Sequence, residues 1–292
     1  MNDLRVAIVG SINLDVVLRV STLPRPGETV VAHGLSQVLG GKGANQAIAA
    51  ASVALTDLIA EVGTDAASAV LLSQLQEAGV GTTHVGISPG PTGRAHIAVD
   101  EQGENSIIVV GGSNHHLSPV RVLEALDASS PAVVVIQCEV DGAVVRAVHK
   151  WAVTRSARLV LNASPVPTYL SELEPIADPL IVNRGEAETI TGMQGASTLE
   201  LAPALADRAR SVVVTDGSQG SVVHRDGQTQ SVPAVVARVI DTTGAGDAFA
   251  GVLAARLAIG EVLVDAVSAG AVEAARVISL RRSARSSGVE RQ

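Results

Sequence analysis

The chain is short of aromatic residues: Trp151, Tyr169 and Phe249 are the only ones in 292 positions. Single-stranded nucleic-acid binders stack bases on aromatic platforms, so that mode of binding is nearly excluded. Cysteine is scarcer still: Cys138 stands alone in the apolar run "PAVVVIQCEV", and no internal disulfide can form. That fits a reducing compartment, with the cytoplasm as the default. Basic charge is also in deficit, with 21 Lys and Arg against 29 Asp and Glu and a formal net charge of −8. An acidic surface is repelled by nucleic-acid backbones and anionic membranes, so neither is expected as a partner. No charge-free apolar run approaches the roughly 18 residues of a membrane span, and "RVAIVGSINLD" near the N-terminus reads as a strand rather than a signal peptide.

What is abundant is aliphatic: hydrophobic residues make up 47% of the chain, ample for a sizeable core. Short β-branched runs bounded by turn formers recur at 5–10, 55–63, 132–137, 158–164, 179–183 and 211–217. Alanine-rich segments of helical length lie between several of them, at 43–52, 67–79 and 141–155. Apolar strands alternating with such helices predict an α/β fold, a Rossmann-like three-layer sandwich on a mainly parallel sheet. Segments 15–20, 29–40 and 93–112 instead alternate polar and apolar residues about turn formers, which predicts exposed strands forming a small second sheet, a lid. No linker or repeat divides residues 1–292, so one domain with inserted lid strands is expected.

Ligands of open parallel sheets sit beyond the carboxyl ends of the strands. Asn13, Asp15, Glu139, Asn162, Asn183, Glu186 and the run 216–220 all fall there. Near the C-terminal end, "DTTGAGDAFAG" (241–251) places two glycines and an aspartate where a helix begins. Gly244 and Gly246 could serve only to turn the chain. Alternatively, the unpaired N–H groups of the helix start make an anion site, with the helix taken to begin after Asp247. An acid beside such a site repels phosphate, so Asp247 reads better as a proton acceptor than as a phosphate ligand. "LGGKGANQAIAAA" (39–51) similarly sets glycines and Lys42 ahead of a helix, without the G-x-x-x-x-G-K-[ST] spacing of a nucleotide P-loop.

The two motifs together resemble the defining pair of the ribokinase-like carbohydrate kinases. "VGSINLDVV", "LPRPGETV", "GENSIIVVGGSN", "VNRGEAE" and "TDGSQG" extend the resemblance over roughly residues 5–275. It implies an ATP-dependent sugar kinase with D-ribose, phosphorylated at O5, as the leading acceptor. Asn13, Asp15, Gly41, Lys42, Gly43, Ala44, Asn45 and Glu139 match sugar-holding positions. Asn183 matches a phosphate contact, Thr215, Asp216, Gly217, Ser218, Gln219 and Gly220 the loop under the nucleotide, and Glu186 a carboxylate that organises Mg²⁺ through water. Asp247 matches the base, in contact with the acceptor hydroxyl, and Gly244, Ala245 and Gly246 the anion hole, Gly246 also touching the nucleotide. Asp241 and Thr243 match half of a K⁺ site, whose other half falls in a tail, "LRRSARSSG", that departs from the family pattern. K⁺ activation is therefore expected to be weak or absent. Alternatives are a kinase for another sugar or a nucleoside, or a homologue that binds without turnover. A lid with apolar alternation suits pairing across a two-fold axis, so a homodimer is expected.

Other residues carry plainer readings. His115 and His116 are adjacent and so share no face, which argues against a metal pair. Arg94 and His96, two apart on a strand, face either the sugar or solvent. Cys138 reads as a small core residue, and Glu61, Asp65 and Asp100 as solvated loop charges.

Overall fold

A computed structural model describes residues 4–280. Its strands are β1 (Val6–Val9), β2 (Asn13–Arg19), β3 (Gly34–Gly40), β4 (Thr56–Val62), β5 (Val85–Ile87), β6 (Gly93–Val99), β7 (Asn105–Val110), β8 (Val133–Gln137), β9 (Arg158–Asn162), β10 (Leu180–Asn183), β11 (Ser211–Thr215), β12 (Ser221–Arg225) and β13 (Gln228–Val232). The helices are α1 (Lys42–Ala51), α2 (Ala66–Glu77), α3 (Pro119–Ser129), α4 (Gly142–Arg155), α5 (Arg184–Thr191), α6 (Thr198–Ala204), α7 (Ala245–Ala258) and α8 (Leu263–Ile278). None of the described helices is long and apolar enough to cross a membrane.

Nine strands form the central sheet in the order β13-β12-β11-β10-β9-β8-β1-β4-β5. From β11 to β5 all neighbours are parallel, and β12 and β13 close one edge as an antiparallel hairpin. Strand β1 shows why the runs read as uninterrupted apolar sequence. Val6 and Ile8 pack on one face with residues of α1, α7 and α8, while Ala7 and Val9 pack on the other with residues of α3, α4 and α6. Both faces are covered, so successive side chains must all be apolar.

The small sheet is separate, ordered β3-β2-β6-β7. Strand β3 starts at Gly34 rather than at residue 29, because β2 ends at Arg19, opposite Gly34, and no strand lies beyond it to pair with. The segment 93–112 resolves into β6 and β7, paired antiparallel. Two acids expected in solvent are in fact tied into the fold. Glu61 is buried in β4, where burial pushes its carboxyl up and a bond from Arg121 at 3.1 Å opposes that. Asp65 stands at the N-cap position of α2, but its carboxylate turns away from the helix and accepts hydrogen bonds from Thr92 at 2.7 Å and Arg94 at 2.8 Å. Asp100 closes the turn between β6 and β7 by accepting from the N–H groups of Gln102 and Glu104.

Small residues let α1, α7 and α8 lie unusually close. A Cβ on Gly251 would sit 2.3 Å from the Gln46 carbonyl oxygen and 2.9 Å from Ala49 Cβ, and one on Gly270 would sit 2.7 Å from the Phe249 carbonyl oxygen. Backbone cannot yield as a flexible side chain can, so the helices would have to separate. Gly251→Ala is expected to destabilise the protein by about 1–3 kcal/mol. A thermal melt that leaves Tm unchanged would contradict this close approach.

Candidate active site

Both motif helices begin through a glycine with left-handed backbone: Gly41 (φ +90°) before α1 and Gly244 (φ +76°) before α7. L-residues with a Cβ are strained there, which is the local reason for glycine at these two positions. The chain starts α7 at Ala245, so Asp247 lies inside the first turn and not ahead of it. Ala245 N–H turns back to the Thr242 carbonyl at 3.2 Å, whereas the N–H groups of Gly246 and Asp247 find no acceptor among the described residues. Gly244 N–H is likewise unmatched, so three of the four N–H groups at 244–247 have no acceptor among the described residues.

The first turn of α1 seats on the end of β1, where a Cβ on Gly43 would come within 2.6 Å of Gly10 C and Ser11 N. Ala44 N–H donates to the Ser11 carbonyl at 3.0 Å. From α1, Asn45 donates to Asp247 Oδ2 at 3.0 Å and Gln46 to Asp247 Oδ1 at 3.2 Å. Asp247 is buried, which pushes its carboxyl above the usual aspartate range; the Lys42 ammonium and the two amide bonds pull it back. Burial pulls Lys42 down, yet Asp247, Glu139 and Glu186 outweigh that and hold it above the ordinary lysine value. Lys42 thus stays an ammonium.

The start of α1 lies against the small sheet, where a Cβ on Gly41 would come within 2.9 Å of Asn13 N. Asn13 and Asp15 on β2 are both buried, and a Cβ on Gly40 would overlap the Asp15 carboxylate. Asn114 accepts from Ile12 N–H at 2.9 Å and donates to Asn13 Oδ1 at 2.8 Å. A backbone N–H can only donate, so the direction is fixed: Asn13 Oδ1 accepts and its NH₂ is not used in this bond. Glu139, after β8, accepts from Ser11 Oγ and from Lys42 N–H at 3.0 Å.

On the other side, Lys42, Asn162, Asn183, Glu186, Thr215, Gly244, Gly246, Asp247 and Phe249 line one crevice. Asn183 and Glu186 form a reciprocal capping box on α5, with bonds of 2.9 and 2.8 Å. That box satisfies a helix start and holds the Glu186 carboxylate in place at the crevice wall. Thr215 reaches the crevice; Asp216 pairs with Arg184 at 3.5 Å, and Gly217, Ser218, Gln219 and Gly220 form the exposed turn beside it. Asp241 and Thr243 lie on the turn before α7, Thr243 N–H bonding Asp241 Oδ1 at 2.9 Å. The tail expected to complete a K⁺ site, from residue 281 onward, lies outside the described residues.

Arg94 does not reach the sugar side. It shares the β2 register position of Leu14, opposite in face to Asn13 and Asp15, and lines a groove of about 390 Å³ between the back of the small sheet and α2. His116 lies 3.3 Å from Ser88 Oγ, and no cluster of three metal-ligating side chains occurs among the described residues.

A model of the pfkB family of carbohydrate kinases matches residues 3–289. The chain belongs to that family. A ribokinase from Haemophilus influenzae is 33% identical over 290 residues, 97% of this chain and 94% of its own. A deoxyribokinase from Salmonella typhimurium is 32% identical over 85% of this chain and 84% of its own. Among solved structures, Arabidopsis thaliana ribokinase complexed with ribose and ATP superposes with a TM-score of 0.84 at 28% identity, covering 94% of this chain and 93% of that one. This pfkB chain is an ATP-dependent carbohydrate kinase with the mixed α/β fold of those relatives.

Sequence reasoning left four residues of the kinase site without a role: Ser11, Gln46, Asn114 and Gln137. All four are buried; Ser11, Gln46 and Gln137 stand in or beside apolar or alanine-rich runs, and that isolation is the signal that could have found them, whereas the polar "GGSNHH" around Asn114 offers none. Cys138 is inert by environment: burial pushes its thiol up to about 12, with Glu186 and Glu139 adding and Lys42 opposing. Alkylation of the native protein at pH 8 is expected to run at least about a hundredfold slower than after unfolding. Equal rates would show that the thiol is accessible and ionised.

Proposed function

We propose that this kinase transfers the γ-phosphoryl group of ATP to O5 of D-ribose, giving D-ribose 5-phosphate. The observation that carries the reading is the join between the two sides of the site: Asp247 is held by Asn45 of α1, the helix whose start meets Asn13 and Glu139, and also lines the crevice with Lys42, Asn183 and Glu186. Short polar side chains on the first side suit a polyol, whose hydroxyls both donate and accept. The H. influenzae and A. thaliana proteins named ribokinase support ribose; the Salmonella deoxyribokinase, equally similar, supports 2-deoxyribose as the second reading. A nucleoside is less favoured, since no aromatic residue occurs in β2, β3, β6 or β7 to stack on a base.

Asp247 takes the proton of the attacking hydroxyl as its oxygen bonds to phosphorus. The N–H groups of Gly246 and Asp247, at the positive end of α7, receive charge on the transferring group, with Lys42 as a compact cation beside it. Gly41, Gly43 and Ala44 shape the sugar side by letting α1 approach Ser11. Asn183 and the loop from Thr215 to Gly220 hold the nucleotide. A polyphosphate entering a site with four carboxylates, Asp15, Glu139, Glu186 and Asp247, and one ammonium meets net negative charge, which fits a divalent cation. Glu186, a hard oxygen donor at the crevice wall, is the residue that would hold Mg²⁺ through water, and the ion supplies charge neutralisation across the phosphates. Asp241 and Thr243 carry the oxygen donors a K⁺ would need from this side; weak K⁺ activation is expected because the tail departs from the family pattern.

The small sheet would act as the lid over the sugar and pair with a second copy of this chain. Edge strand β7 exposes Ile107, Ile108, Val109 and Val110, each by about half or more. Four consecutive exposed apolar residues on an edge are an aggregation hazard unless covered.

Two measurements test these readings. Asp247→Asn should lower kcat by about 10²–10⁴-fold while KM for the sugar changes little. ADP release from the wild type should be fastest with ribose against deoxyribose, fructose and adenosine, and nearly the same with and without K⁺. Unchanged turnover in the variant refutes the base, and faster turnover of deoxyribose refutes ribose. Ile108→Lys should halve the mass measured by light scattering, and an unchanged mass refutes the lid-to-lid dimer.

A further inference from the structure

We propose that Gln46 is a positioning residue for Asp247, locked as a donor to Oδ1 by a chain of side-chain amides whose direction the backbone imposes. The inference rests on reading Asp247 as the base.

The chain starts at the Ile181 carbonyl on β10. A carbonyl can only accept, so the Asn162 group facing it at 3.2 Å must be its NH₂. Asn162 Oδ1 therefore faces α1, and the Gln46 atom 3.0 Å from it must be nitrogen. That same nitrogen lies 3.2 Å from Asp247 Oδ1. At the other end of the amide, Gln46 Oε1 accepts from Gln137 Nε2 at 2.6 Å. Every orientation in the chain follows from one backbone oxygen, so none is a free choice of rotamer.

Gln137 shows that the direction is enforced. Its Oε1 is buried and has no hydrogen-bond partner among the described residues. Turning the amide over would point oxygen at Gln46 Oε1, acceptor against acceptor. An unpaired buried acceptor costs about 1–3 kcal/mol, and the fold tolerates it here. Gly10 lies against the same oxygen, where a Cβ would overlap it.

The consequence is a base with both oxygens held by neutral donors, Asn45 on Oδ2 and Gln46 on Oδ1. Neutral donors favour the anion without placing a second cation against it. The charged groups near Asp247 are Lys42 from the start of α1, Glu139 from the segment after β8 and, lining the same crevice, Glu186 of α5; Lys42 favours the carboxylate and Glu139 opposes it. Burial opposes ionisation, so the amide bonds help keep the carboxylate ready at neutral pH.

Removing the Gln46 donor should raise the carboxyl's pKa and leave the base protonated at higher pH. In Gln46→Met, a nearly volume-conserving change, the acid limb of the kcat–pH profile is expected to move up by about one unit. Asn162→Leu, which removes the acceptor that restrains Gln46 along with the bond to Ile181 and one polar side chain of the crevice, should move the acid limb in the same direction by less; the position of the limb decides the matter alone if Gln46→Met melts below assay temperature. An acid limb that stays in place while kcat falls equally at every pH overturns the inference and leaves Gln46 a space-filling residue. Wild-type turnover in Asp247→Asn would instead remove the base assignment itself, so the two failures are told apart.

Discussion

How closely α7 can lie against α1 decides whether the site exists. Asp247 and Gly251 are four residues apart on α7 and so share one helix face, one turn from each other. Asp247 meets Asn45 and Gln46, while Gly251 meets the Gln46 carbonyl and Ala49. Side-chain hydrogen bonds of 3.0 and 3.2 Å across that seam need the clearance that only a missing Cβ supplies. Residue 251 thus sets the distance at which residue 247 works. On the far side of α7, Gly270 of α8 does the same against Phe249 and presses the helix inward. The alanine-rich composition of these helices is a condition of the site's geometry as well as of the core.

Placing a carboxylate in such a seam raises an electrostatic problem that the surrounding residues answer by division of labour. Burial alone would protonate Asp247. A nearby arginine would solve this through a rigid two-pronged pair and would hold the carboxylate's lone pairs away from a substrate. The chain instead uses two amides for orientation and a lysine for charge. Lys42 is one of only two lysines in the sequence, the other being Lys150, where positive charge is otherwise supplied by arginine. A compact ammonium on a flexible stem can attend to Asp247 and Glu139 and still reorient toward an incoming phosphate.

Much of this was legible in the sequence, for a physical reason. Strands buried on both faces must be apolar throughout, and glycines with left-handed backbone cannot be replaced cheaply, so the sheet and both motif helices announce themselves. The β12–β13 hairpin was missed, although Asp226-Gly227 between two alternating strands, with φ of +50° and +74°, is a favourable two-residue turn. Glu61 and Asp65 were misread because a charge's neighbours in sequence say nothing of its partner in space. Arg121 lies 60 residues from Glu61 and Asp65 lies 29 from Arg94, distances that local pattern cannot span. The amide chains were invisible on the same ground, since each link joins a different strand or helix.

The register of the small sheet decides which side chains β2 presents on the face that carries Asn13 and Asp15. Along β2, Asn13 and Asp15 share one face, while Leu14, paired with Leu39 and Arg94, takes the other with the groove beside α2. A slip of one residue would exchange these faces and present a leucine and a guanidinium where two short polar groups now stand. The register is pinned at its inner end, where Asn13 lies opposite Gly40 and Gly93. A Cβ on Gly93 would overlap both Asn13 Oδ1 and Asn114 Nδ2, so the amide bond between them and the strand pairing require the same glycine. Strand register and the hydrogen-bonding sense of Asn13 are therefore set together: in this register Asn13 Oδ1 is taken by Asn114, and its NH₂ is the group left to donate.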